Sequence, residues 1–153
     1  MRRLAMVVTA ALLAGCAQKE ATPEAAPAEP VAAPAPAPID LATVAGTWEF
    51  KTMSATSDSV LTTGTLVATA NTDGWTMTLP KRKPVTLTIM VSGDSIMAQS
   101  PSYESVLRKG VTVNTSTVYH LVEGKLMGTT TAHYSKGADS VLALRTEGVR
   151  KVE

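Results

Sequence analysis

Trp75-Thr76-Met77-Thr78-Leu79 and Val85-Thr86-Leu87-Thr88-Ile89-Met90-Val91 decide the fold. In each stretch the main apolar side chains recur at every second position, the period that puts them on one face of a β-strand. Between them stands Pro80-Lys81-Arg82-Lys83-Pro84. Its two prolines cannot donate to a central ladder, so this piece reads as a turn. Asp73-Gly74, Gly93-Asp94 and Glu123-Gly124 are two-residue hairpin signals, because Gly and Asp accept the positive φ such turns need. Lys136-Gly137-Ala138 is a slightly longer turn. Working outward from these marks gives eight strands, near 46–53, 58–70, 75–80, 84–92, 95–100, 111–122, 125–134 and 139–147.

Parallel neighbours need crossovers of about a dozen residues or more, and nearly every gap here is shorter. The sheet is therefore an antiparallel meander. A turn at Asp73-Gly74 sets Met77 opposite Ala70 and Leu79 opposite Ala68. A turn at Gly93-Asp94 sets Val91 opposite Ile96 and Ile89 opposite Ala98. Both registers put apolar residues on one shared face. An eight-strand meander with one apolar face buries it by closing on itself, which also removes exposed edges. The expected fold class is all-β, a single up-and-down barrel over 39–153, with a two-sheet sandwich as the alternative.

The formal charge is +1 and aromatics make up only 4% of the chain. Without residues 1–15, twelve Lys and Arg face thirteen Asp and Glu, which gives no electrostatic case for nucleic acid. The one cysteine, Cys16, excludes an internal disulfide and a Cys-based metal site or thiol nucleophile in the folded part.

Met1-Arg2-Arg3 is a positive leader start, and the apolar run from Leu4 to Leu13 is too short to span a bilayer core of about 30 Å. Leu13-Ala14-Gly15-Cys16 resembles the lipobox of bacterial lipoprotein signal peptides. The resemblance implies a signal peptide over 1–15, cleavage before Cys16 and lipid on Cys16, with the membrane as partner. Ala17 follows the cysteine in place of the Asp linked to inner-membrane retention. This implies the periplasmic face of the outer membrane where a host has two membranes. From 16 to 38 the chain is rich in Pro, Ala and Glu and is expected to be a disordered tether, biased to polyproline II.

Ala45-Gly46-Thr47-Trp48 resembles the Gly-x-Trp opening of calycins, the group of lipocalins, fatty-acid-binding proteins and avidins. The resemblance implies that Trp48 closes one barrel end and that a cation from the last strand, Arg145 or Arg150, packs across it. The chain departs from lipocalins in lacking their Thr-Asp-Tyr motif, and two tryptophans in the domain are too few for an avidin-type biotin site.

Ser92-Gly93-Asp94-Ser95 resembles the nucleophile block of one esterase class, but the Asp-x-x-His such enzymes need is missing and a hairpin turn explains the residues. No acid, base and nucleophile set emerges, so a non-enzymatic protein without cofactor is expected. His120 and His133 fall six pairs apart on one ladder, about 20 Å, too far to share a metal. Lys81-Arg82-Lys83 reads as a solvated hairpin tip. Ser102 is placed to cap a short helix carrying Tyr103, Val106 and Leu107 inward, as a lid or a plug.

The expected interior holds Trp48, Phe50, Trp75, Met77, Leu87, Ile89 and Tyr119 among small Gly64, Ala68, Gly128 and Ala143. An eight-strand interior is either filled by side chains or holds one small ligand. Two functions stand at this point: a barrel binding a small apolar ligand at the envelope, or a structural or interaction module with a packed core.

Overall fold

The computed structural model describes residues 37–152. The expected leader, the lipid site at Cys16 and the tether up to residue 36 lie outside the described residues. The elements, in order, are α1 (Leu41–Val44), β1 (Gly46–Ser54), β2 (Val60–Ala68), β3 (Thr76–Thr78), β4 (Val85–Thr86), β5 (Thr88–Ser92), β6 (Ser95–Gln99), β7 (Tyr103–Glu104), β8 (Thr112–Val122), β9 (Lys125–Tyr134) and β10 (Val141–Arg150).

All pairings are antiparallel, in the order β4-β3-β2-β1-β10-β9-β8-β6-β5, with β7 added beside β8. The two ends of this series, β4 and β5, are halves of one segment separated by Leu87 alone. The first half pairs with β3 (Met77 opposite Val85) and the second with β6 (Ile89 opposite Ala98). Leu87 itself donates its N–H to Trp75 O at 2.9 Å while its side chain is buried in the core. The sheet thus closes around a corner at Leu87; with β4 and β5 counted as one strand, eight strands follow one another around the barrel, and the two-residue β7 is an addition to the eight expected from the turns.

Two hairpin registers match the sequence reading: Val91 opposite Ile96 and His120 opposite Met127. The β2–β3 register does not. Met77 lies opposite Leu66, four residues along β2 from the expected Ala70. The physical reason is a longer loop before β3. Thr69 Oγ1 donates to Asp73 O at 2.5 Å, Asn71 Oδ1 accepts from Asp73 N–H, and Trp75 Nε1 donates to Asn71 O at 2.8 Å. Side-chain bonds of this kind offer the backbone an alternative to the ladder. Because the shift is even, the inward face is unchanged.

Ala143 is a second correction, since it is exposed: it pairs with outward Thr131, and Leu144 points inward instead. The short helix α1 precedes the first barrel strand and lies outside the expected all-strand pattern. Asp40 caps it, accepting from Ala42 N–H at 2.9 Å, and Val44 is fully buried.

Candidate functional site: the barrel interior and its plug

Trp48, Trp75, Leu66, Ile96, Leu126 and Val44 form the fully buried floor of the barrel. The Trp48 indole donates to Val44 O at 2.9 Å, and the Arg150 guanidinium stacks over its ring at 4.4 Å. Arg150 also donates to Thr43 O at 2.6 Å and to Ala45 O. Gly46, at φ +137°, leaves room for this cation: a Cβ there would meet Arg150 Nη1 at 2.6 Å. Arg145 is elsewhere. It sits on the outer face and pairs with Asp58 at 2.7 Å, so the expectation of Arg145 as a barrel-end cation is corrected.

Above the floor, aromatic rings occupy the space left by small residues. A Cβ on Gly64 would meet the Phe50 ring at 2.5 Å, and one on Gly128 would meet the Tyr119 ring at 2.8 Å. The glycines therefore admit rings and do not hollow the barrel. Next comes a row of buried hydroxyls, Thr117 to Thr130 (2.9 Å), Thr130 to Thr146 (2.9 Å) and Thr146 to Thr52 (3.3 Å). Along β8, β9 and β10 these threonines fall between the floor and a second apolar cluster of Val113, Ala132, Tyr134 and Leu144.

The connection from Ser100 to Gly110 covers this end. It does not form the expected helix. Tyr103 and Glu104 pair with Val113 and Thr112 as β7, and the hydroxyl that organises the following turn is that of Ser105, not Ser102. Its Oγ accepts from Leu107 N–H and Arg108 N–H, each at 3.0 Å. Two arginines pin the segment. Arg82 bonds Glu104 at 2.7 Å and Ser105 O at 3.4 Å; Arg108 bonds Asp139 O at 2.8 Å and stacks on Tyr134 at 3.9 Å.

Beneath this plug the residual cavity is about 50 Å³, room for about three waters. Phe50, Met77 and Tyr119 line it, with Thr117, Thr130 and Tyr103. The other four residues expected to line a pocket do not: Trp48, Trp75, Leu87 and Ile89 are closed into the core.

Burial pushes the Tyr119 phenol up to about 12, against a smaller lowering by the Thr117 hydroxyl and with a further rise from neighbouring Tyr103. Burial also raises Tyr103. The unfolded phenol titrates near 10, so the stability due to its burial is whole below that pH and is lost as pH climbs through about 12. Urea unfolding at pH 8 and pH 11.5 is expected to show the wild type losing more stability than Tyr119→Phe, by about 2 kcal/mol.

His120 and His133 lie opposite Met127 and Asn114, both on the outer face. Among the described residues no three His, Cys, Asp or Glu side chains converge as a metal site, and no helix is long and apolar enough to cross a membrane. Comparison with family models, curated proteins and solved structures finds no match. The fold class stands on the geometry: an antiparallel, calycin-like barrel.

Proposed function

We propose that the chain is a lipid-anchored, non-enzymatic module of the cell envelope whose barrel is a packed scaffold and whose contacts are made on its outer surface. The observation that carries this reading is the size of the interior space. A cavity of about 50 Å³ falls far below the roughly 300–1,000 Å³ of small-molecule sites. The anchor is supported by Leu13-Ala14-Gly15-Cys16 and by the Pro/Ala-rich composition of the stretch after it.

The barrel of a lipocalin-type carrier keeps its interior open. Here the rings of Phe50 and Tyr119 fill the gaps beside Gly64 and Gly128, and the plug is tied at both arginines. Two measurements test the reading. Cys16→Ser should move the chain from the membrane fraction to the soluble fraction. Thermal melts against a panel of fatty acids and isoprenoids should show no shift. A Cys16→Ser chain that stays in the membrane removes the anchor, and a saturable shift with one ligand class removes the packed scaffold.

A further inference from the structure

The outer face of the sheet brings thioethers and one imidazole together. Cross-strand pairing puts Met127 of β9 directly opposite His120 of β8, and both line one shallow surface groove. On the other side of His120 stands β6, where Ser95 is its direct partner and Met97 lies one diagonal step away, opposite Val118. Directly opposed Cβ atoms are about 5 Å apart and diagonal ones about 7–8 Å, both within reach of long side chains. Met90 of β5 then faces Met97, extending the arc to a fourth strand. Met127 is 38% exposed, the His120 side chain 46% and Met90 46%, while Met97 is half-buried.

The imidazole is held from one side. Its Nδ1 lies 3.4 Å from Ser95 Oγ and 3.8 Å from Asp94 Oδ1. A carboxylate or hydroxyl on one ring nitrogen is the usual outer partner of a metal-bound histidine, fixing the ring and leaving the other nitrogen to ligate. The nearest carboxylate beside Met127 is Glu147, its partner on β10, and it is already held by Lys51 at 3.0 Å and Lys125 at 3.2 Å. What remains is one imidazole nitrogen and two thioether sulfurs, neutral and soft, of which the Met97 sulfur accepts a long contact from the exposed Gln99 Nε2 at 3.7 Å that a metal would displace. Thioethers select monovalent copper, whereas hard divalent ions need oxygen donors.

We propose that His120, Met127 and Met97 form a surface site for a soft monovalent metal ion, Cu(I) in chemical class, with Asp94 and Ser95 positioning the imidazole. The site does not depend on the packed-scaffold reading. The test uses the full chain in detergent, carrying Cys16→Ser to remove the only thiol and labelled with ¹³C at the methionine methyls. Ag(I), which has the same charge and softness without redox chemistry, is titrated in chloride-free buffer.

One equivalent should shift the Met127 and Met97 methyls together with the His120 ring protons, while the interior Met77 methyl stays in place. His120→Gln and Met127→Leu should each weaken uptake at that signal by at least about tenfold, and Asp94→Asn with Ser95→Ala by about tenfold. Circular dichroism of each variant, unchanged from the parent, keeps a loss of binding from being a loss of fold. Shifts confined to Met1 and Met6, or an affinity indifferent to both His120→Gln and Met127→Leu, would overturn the proposal. So would Zn(II) occupying the same three groups as tightly as Ag(I).

Discussion

Trp48→Ala is expected to remove about 3–5 kcal/mol of stability, read as a fall in the urea midpoint. Folded domains hold only about 5–15 kcal/mol in total, so the variant will sit near the edge of unfolding at room temperature. The size follows from what the indole does. It is fully buried at the floor, its N–H satisfies Val44 O, and its face carries Arg150. Truncation leaves a hole where α1, β1 and β10 meet, and these elements cannot collapse into it without breaking the Arg150 bonds to Thr43 O and Ala45 O. Arg150→Met should cost less, about 0.5–2 kcal/mol for the lost cation–π contact together with its carbonyl bonds. A double-mutant cycle should then show the two residues coupled, since they touch. A Trp48→Ala midpoint within error of wild type would mean that the indole does not close this end.

Thr130→Val is expected to cost about 1–3 kcal/mol although it keeps the shape of the side chain. Thr130 is the middle of the hydroxyl row, bonded to Thr117 on one side and Thr146 on the other. Its replacement by an isosteric methyl takes from Thr117 its partner in the row and leaves Thr146 with only the longer contact to Thr52 at 3.3 Å. The converse prediction is sharper. Changing Thr52, Thr117, Thr130 and Thr146 to Val together removes every member of the row and should be close to neutral, because apolar groups of the same shape then meet one another. Chemical denaturation of the single and quadruple variants decides it. A quadruple variant that loses several times more stability than Thr130→Val would show that the row holds the barrel by more than mutual satisfaction.

Much of the architecture was legible because period-two alternation and turn pairs are local signals. Val85 to Val91 and the Gly93-Asp94 turn carry the β5–β6 register within a dozen residues. The β2–β3 register was not legible, since Asp73-Gly74 looks like a two-residue turn until Thr69 and Asn71 are seen to organise a longer loop. The corner at Leu87 left no trace in the pattern, because a strand that changes partners keeps the same alternation on both sides.

The site divides in the same way. Gly46 and Trp48 marked the floor through a family resemblance, but choosing between Arg145 and Arg150 needed the end of β10, which runs three residues past the expected 147. Whether Gly64 and Gly128 meant a pocket or a packing surface depended on where the Phe50 and Tyr119 rings lie, a long-range fact absent from any local window. The register opposing His120 to Met127 was readable from Glu123-Gly124. One imidazole and two thioethers drawn from three strands match no metal-ligand spacing along the chain, so the group shows only once the strands are paired.

The central claim is that the interior is filled by the protein's own side chains. Native mass spectrometry of the chain purified from its host without an unfolding step tests it most directly, because any resident molecule travels with the barrel. The mass should equal that of the same sample measured after unfolding. A stoichiometric extra mass that leaves on unfolding, and is absent when the barrel is refolded from urea, would contradict a packed core.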